Sequence, residues 1–220
     1  FLSAQTWQDN TLEPTEKELK ASHVGSIVGF KTHKGEIINV RIASSFISIE
    51  QAYQNLEEIG QKDFETVKSE GRAQWNNILS RVKVEGGDLD QYRTFYSSLY
   101  RTLLFPRKLY EIDNNGNKYH YSPFNGNICK GPLYTDSGFW DTFRSLFPFL
   151  NLMFPSQNAE IQQGLINTYL ESGFLPEWAS PGHRDCMVGN NSASIVTDAF
   201  LKNIGNYNAD TLYSALLNGA

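Results

Sequence analysis

The stretch FWDTFR, residues 139–144, places an indole, a carboxylate and a guanidinium within one turn: Trp140, Asp141 and Arg144. If the segment is helical, Asp141 and Arg144 stand at i, i+3 and share a face. Two kinds of chemistry fit. One is an ordinary helix start, in which a first-turn carboxylate favours the positive end of the macrodipole and Arg144 pairs with it. The other is the rim of a cleft: Asp141 accepts hydrogen bonds from sugar hydroxyls, Arg144 fixes its orientation, and Trp140 offers a ring face.

A second constellation lies in ESGFLPEWASPGHRDCMVGNNS, residues 171–192. Its Gly, Pro and Ser density reads as a loop of about 17 residues, longer than most helix connections. The apolar anchors Phe174, Leu175, Trp178 and Met187 argue against disorder. The polar and aromatic candidates are Glu177, Trp178, His183, Arg184 and Asp185. His183 has neither a Ser or Cys nucleophile in a recognisable motif nor a second His at ligand spacing, so it reads as a hydrogen-bonded or solvated loop residue. Asp136, Asp141, Glu177 and Asp185 are able to supply the paired carboxylates of a glycosidase, but their spacing selects no pair. There is no GxGxxG, P-loop, HExxH, EF-hand or GxSxG pattern, and EGGDLD, residues 85–90, reads as a turn between helices.

These groups need a scaffold, and apolar periodicity supplies a mainly α one with a β beginning. Two apolar runs flank Lys34-Gly35, and Ile38, Val40 and Ile42 alternate at period two, which predicts a pair of strands. Ser48 with Gln51 predicts a capping box for a helix striped by Ile49, Ala52, Tyr53 and Leu56, which Gly60 ends. Phe64, Val67, Gly71, Trp75, Ile78 and Val82 share a face of the next helix. Tyr92, Phe95, Tyr96, Leu99, Tyr100 and Leu103 mark another, closed by Pro106. Residues 108–124 read as a hairpin with Asn115-Gly116 at its turn. Phe143, Leu146, Phe147, Leu150 and Phe154 predict one helix up to Pro155. Ile161, Leu165 and Tyr169 predict the next, followed by helices around Ile195–Phe200 and Leu212–Leu216. Apolar-faced helices on short connections suggest stacked helical hairpins, with residues 107–137 and 174–190 as loops elaborated at one rim.

Composition narrows the class. A net charge of −5 lacks the basic stripe that a nucleic-acid partner requires. No apolar run reaches the roughly 18 residues of a membrane span, and FLSAQTWQDN shows no signal peptide. Cys129 and Cys186 are too few for a disulfide framework and lack metal-ligand spacing.

The runs FYSSLYRTLLFP, YTDSGFWDTFRSLFPFLNLMFP and GFLPEWASPGHRDCMVGNNSASIVTDAFLKNI, in this order, resemble glycoside hydrolase family 92, calcium-dependent exo-α-mannosidases that often act on α-1,2-linked mannose. The connector SSFISIEQAYQNLEEI and its continuation fit the same family. The resemblance implies that residues 1–47 are the last strands of an N-terminal β-sandwich, 48–85 a helical linker, and 86–220 the first part of an (α/α)6 catalytic barrel. It implies an inverting mechanism and calcium in the −1 subsite. The acid, base and metal-side motifs of the family (EGN-, GNDD- and HGNEP-like) do not occur in these residues, so none is assigned as catalytic or metal-binding, and the 220 residues alone are expected to be inactive. Asp141, with Trp140, Arg144, Trp178 and Glu177, carries over as substrate-binding. The family usually has an acid after the tryptophan; here Ala179 stands there, while Glu177 precedes it. Mannose-containing glycans are the implied partners, and the implied location is periplasmic or secreted. Two other classes stay open at this point: another α/α-toroid glycosidase, and a non-catalytic carbohydrate-binding or scaffold protein.

Overall fold

The computed structural model describes residues 2–205 and 207–220. The chain forms two compact units, one ending at Val40 and the other spanning Arg41–Ala220.

The first unit is a three-stranded antiparallel sheet in the order β2-β1-β3, with β1 at Ser3–Gln8, β2 at Thr11–Glu13 and β3 at Val24–Gly29. Trp7 of β1 lies opposite Gly25 of β3, and its indole occupies the space a β-carbon there would need. The hairpin predicted around Lys34-Gly35 is half formed. Gly35 turns with a φ of 88°, and β3 is its first run, but Ile37–Ile42 joins no ladder among the described residues. Alternating side chains define a strand only when a neighbouring edge receives the backbone groups; β1 fills one edge of β3, and the second run lies outside any sheet, with Ile42 81% exposed.

The second unit begins with three helices: α1 (Ile49–Glu57), α2 (Phe64–Leu79) and α3 (Leu89–Thr102). Their N-caps are Ser48, Asp63 and Asp88, each accepting the backbone N–H three residues on. The capping box expected at Ser48 has a single arm, because the Gln51 amide turns to Asn55 and the Ile112 carbonyl instead. The complete box sits at Asp88, where Gln91 bonds back to the cap N–H; the EGGDLD turn ends in it.

Short antiparallel strands follow: β4 (Arg107–Lys108), β5 (Glu111–Ile112), β6 (Lys118–Tyr121), β7 (Ile128–Lys130), β8 (Tyr134–Thr135) and β9 (Ser137–Gly138). The hairpin expected at Asn115-Gly116 is β5–β6, extended by β7 into a three-stranded sheet. Its turn is tied by Asp113, whose carboxylate accepts from the Asn115 and Asn117 N–H groups. One carboxylate pins this sheet to the helices: Glu160 accepts hydrogen bonds from the hydroxyls of Tyr110 and Tyr134 and pairs with Lys118. Burial alone would raise its pKa, but those three donors outweigh it and hold the carboxyl below the ordinary value.

The remaining helices are α4 (Phe139–Thr142), α5 (Leu146–Met153), α6 (Pro155–Ser172), α7 (Asn191–Leu201) and α8 (Ala209–Asn218), with β10 (Trp178–Ala179) between α6 and α7. The single helix expected from Asp141 to Phe154 is therefore two. Pro148 explains the interruption: a proline in a continuing helix has no N–H to donate and its ring meets the carbonyl four residues back, here that of Arg144. Placed in the first turn of a new helix, the same residue is tolerated. Pro155 likewise closes α5 and opens α6 as its first residue, where its missing N–H is one of the orphans anyway. Gly173 ends α6 with a φ of 86°.

The apolar core is built mainly by α5–α8, joined by Tyr134 of β8, Phe139 of α4 and Leu175. Phe147, Leu150, Phe154, Ile161, Leu165, Ile195, Val196 and Leu212 form its centre. A polar row runs through it, in which Asn158 bonds Asn151 and Gln162, and Asn151 bonds Asp198. Buried amides need such partners, because each unpaired one costs roughly 1–3 kcal/mol.

Candidate functional site

The chain between β8 and α4 changes partners at Asp136. β8 pairs with β4, placing Thr135 opposite Arg107, and β9 pairs with β10, placing Gly138 opposite Trp178. Asp136 takes up the change with a φ of 59°, a left-handed conformation that Asp tolerates better than most residues. Its side chain is clamped: Arg107 grips Oδ2 through Nε and Nη2, and the Ser180 hydroxyl donates to Oδ1 at 2.7 Å. Burial would push this carboxyl up, but the Ser180 and Arg107 hydrogen bonds prevail and hold it below the ordinary carboxylate range.

Two residues later, Gly138 opens α4 and lets two large groups approach. A β-carbon there would stand 2.7 Å from Trp178 Cε3 and 2.8 Å from Asp141 Oδ2, closer than any van der Waals contact. The absent side chain is what lets the Trp178 ring and the Asp141 carboxylate converge. Together with Phe105, Asp136, Thr142 and Ser180 they line an open cleft of about 330 Å³. Half-buried Trp178 and exposed Asp141 therefore give it one aromatic face and one available carboxylate.

The segment carrying Trp178 is an ordered loop. Ala179 bridges His183, the Arg184 N–H donates to the Trp178 carbonyl at 2.8 Å, and Arg184 Nε donates to the Ser180 carbonyl at 2.7 Å. His183 packs on the Phe124 ring and bonds the Ser172 hydroxyl through Nε2 at 2.8 Å. Partial burial lowers its pKa against the opposing charge of Glu177. It anchors the loop, as a hydrogen-bonded loop histidine does.

The residues singled out from the sequence divide into groups. Asp141 and Trp178 meet at the cleft. Trp140 and Arg144 lie beside it: the guanidinium stacks at 4.6 Å over the Trp140 ring and 4.4 Å over that of Phe143, and donates to the Trp140 carbonyl. Among the described residues Asp141 and Arg144 form no ion pair, which corrects the expected i, i+3 pairing; the end of α4 at Thr142 removes the helical turn that pairing required. Glu177 contributes its backbone carbonyl, which accepts the Phe139 N–H at 3.2 Å. Asp185 is exposed and is not among the residues that line the cleft. Gly138, Arg107 and Ser180 were missed. A glycine wedged between a strand and bulky residues signals close approach, so Gly138 was in principle legible, whereas Arg107 and Ser180 reach Asp136 only through tertiary pairing.

Residues 51–220 match the glycosyl hydrolase family 92 catalytic domain. The chain belongs to this family. Among solved structures it is similar to the family GH92 inverting mannosidase BT2199 from Bacteroides thetaiotaomicron VPI-5482, with 44% identity and a TM-score of 0.88, covering 98% of this chain and 29% of that one. The family GH92 α-mannosidase BT3965 from Bacteroides thetaiotaomicron, also solved in complex with mannoimidazole, shares the fold at 24% identity, with TM-scores of 0.79 and 0.78, 99% of this chain and 30% of that one being covered. No curated protein matches the chain. The chain thus spans under a third of the length of these family 92 structures. No helix among the described residues is long and apolar enough to cross a membrane.

Calcium, which the resemblance implies, does not match the donors present. Asp136 is saturated by Arg107 and Ser180, leaving Asp141 as the cleft carboxylate without a hydrogen-bond or ion-pair partner among the described residues. The cluster of three potential metal-ligating His, Cys, Asp or Glu side chains among the described residues is His120, Cys129 and Glu171. A hard cation that takes roughly six to eight oxygens fits neither set.

Proposed function

We propose that the protein containing these residues hydrolyses terminal α-linked mannose, α-1,2-linked in the first instance, from glycans with inversion. The observation that carries this reading is the meeting of the Asp141 carboxylate and the Trp178 ring across Gly138, in a chain 44% identical to an enzyme described as an inverting mannosidase. A sugar presents vicinal hydroxyls and an apolar face; Asp141 accepts hydrogen bonds from the former and Trp178 packs against the latter. Charged acceptors make stronger hydrogen bonds than neutral ones, so Asp141 is the principal contact, with Trp140, Arg144 and Glu177 flanking it. The mannoimidazole complex of BT3965 supports a mannose-shaped ligand.

Asp136, the carboxylate clamped at the cleft, is unsuited to serve as the general acid. An acid must hold its proton near neutral pH, with a raised pKa, and Asp136 is shifted the other way. The proposal therefore places acid, base and calcium ligands outside residues 1–220. Inversion requires two carboxyl groups roughly 6.5–9.5 Å apart, leaving room for a water. On the same reading, residues 86–220 build part of an (α/α)6 ring, 48–85 a linker and 1–47 the end of a sandwich, in a secreted or periplasmic enzyme. Packing of α5, α7 and α8 against α6 around one core supports the ring.

The test is Asp141→Asn in the full-length protein. With an α-mannoside substrate kcat/KM should fall at least tenfold, about 1.4 kcal/mol of transition-state stabilisation. Unchanged kinetics would return Asp141 to a plain helix-start role.

A further inference from the structure

A second constellation stands apart from the cleft. β6 and β7 pair in a register that sets His120 directly opposite Cys129, and opposed residues of an antiparallel pair project from the same face. The last turn of α6 brings Glu171 onto that face. One potential ligand atom from each of the three lies within 4.8 Å of the others. The His120 and Glu171 side chains are 0% and 10% exposed.

The hydrogen bonding of this cluster is incomplete. His120 Nδ1 lies 2.9 Å from the Gly131 carbonyl oxygen, which only accepts, so Nδ1 carries its hydrogen. In the neutral ring, Nε2 then turns a lone pair toward Glu171 Oε1, 2.9 Å away. Two acceptors at that separation call for something positive between them, a proton or a metal cation. The other carboxylate oxygen, Glu171 Oε2, is buried with no conventional hydrogen-bond partner among the described residues, and the group that faces the Glu171 carboxylate is the weak S–H donor of Cys129, although buried polar atoms are almost always fully paired. Fixing one imidazole nitrogen on a backbone carbonyl so that the other is free to ligate is also the usual support for a metal-bound histidine.

We propose that His120 Nε2, Cys129 Sγ and a Glu171 carboxylate oxygen form a binding site for a borderline-soft divalent transition metal, zinc foremost, with water in the fourth position. The donor set excludes calcium and magnesium, which take oxygen, and selects zinc, which takes imidazole, thiolate and carboxylate together. Ligands at about 2.0–2.3 Å in a tetrahedron stand roughly 3.3–3.6 Å apart. The Nε2–Oε1 separation must therefore open slightly, while the widest gap in the cluster closes by about 1 Å. Cys129 is only partly buried and gives solvent access. Its thiol, kept protonated by burial and by the Glu171 charge, releases its proton to water as the metal–sulfur bond forms. The metal would clip the β6–β7 hairpin to the end of α6. There Ser172 holds His183, so the clip would also steady the base of the loop that bears Trp178.

The experiment uses the full-length protein, stripped with a chelator, supplied with excess calcium to fill oxygen sites, and titrated with Zn²⁺ and separately with Co²⁺. The wild type should bind one equivalent of Zn²⁺ more than Cys129→Ser does. Its cobalt form should show a thiolate-to-cobalt charge-transfer band that Cys129→Ser lacks. Glu171→Gln, which keeps side-chain size, should weaken Zn²⁺ binding at least tenfold, as loss of one ligand implies. Equal Zn²⁺ stoichiometry and affinity in wild type and Cys129→Ser, or a cobalt form without the thiolate band, would overturn the site. The conservative Ser and Gln variants keep the test readable where His120→Ala fails to fold.

Discussion

Replacing Gly138 by alanine isolates the geometry of the cleft from the chemistry of its side chains. The backbone φ of −96° at Gly138 is open to any residue, so the substitution introduces no backbone strain. Its whole effect is the added methyl, which would sit 2.7 Å from Trp178 Cε3 and 2.8 Å from Asp141 Oδ2. Non-bonded carbons rest at about 3.5–4.0 Å, so the indole must retreat by roughly 1 Å and the exposed carboxylate must rotate. The folding cost is that of modest overpacking, about 1–3 kcal/mol. The functional cost is larger, since misplacement by about 1 Å is worth up to a hundredfold in rate. In the full-length protein kcat/KM for an α-mannoside should therefore fall roughly ten- to hundredfold, while Tm drops by a few degrees. Gly71→Ala is the matched control. It lies inside α2 with nothing within 4 Å of the new methyl, and it should raise stability by about 0.5–1 kcal/mol with unchanged kinetics. Wild-type kcat/KM in Gly138→Ala would refute the idea that Trp178 and Asp141 act together through that contact.

Three other expectations concern stability and surface. Glu160→Gln removes a carboxylate held by Lys118, Tyr110 and Tyr134 and should cost roughly 1–3 kcal/mol. Because the folded-state pKa lies below the ordinary 4.5, that advantage is fully present above about pH 5 and is lost as pH falls through the folded value. Melting curves across pH should show the two proteins converging under acid, and a gap that widened there would reverse the sign. Leu150→Ala, at 1% exposure, should destabilise by about 2–5 kcal/mol in chemical denaturation, and a loss below about 1 kcal/mol would remove Leu150 from the core. The 220 residues produced alone leave Leu152, Leu170 and Leu201 65–78% exposed; they should bind a hydrophobic dye, self-associate with concentration and leave α-mannosides intact. A monodisperse, dye-silent or active preparation would contradict this.

Much of the helical scaffold was legible because its signals are local. Ser48, Gly60 and Pro155 act on their own backbone, and the stripes of α3, α6 and α7 repeat within a few turns. Pro148 was equally local and was outweighed by the run of Phe and Leu around it, so two helices read as one. The site was less legible, since β9–β10 is two residues long on each side and joins positions 40 apart along the chain. Such a ladder leaves no period to detect. The clamp on Asp136 has the same origin: Arg107 and Ser180 come from either side of it, 29 and 44 residues away. Ile38, Val40 and Ile42 show the opposite failure, a clean period-two pattern without a partnering edge.

The break at Pro148 has a consequence for how such a protein can change. α4 carries Asp141, and α5 carries Phe147 and Leu150 of the core, yet no continuous helical hydrogen-bond ladder joins them. The link that remains is side-chain packing: Phe139 of α4 is buried in the same core and lies against Phe147 of α5, so a tilt of α4 reaches α5 through that ring contact. Change on α4 and change in the core are therefore linked through one aromatic contact rather than through a shared helical backbone.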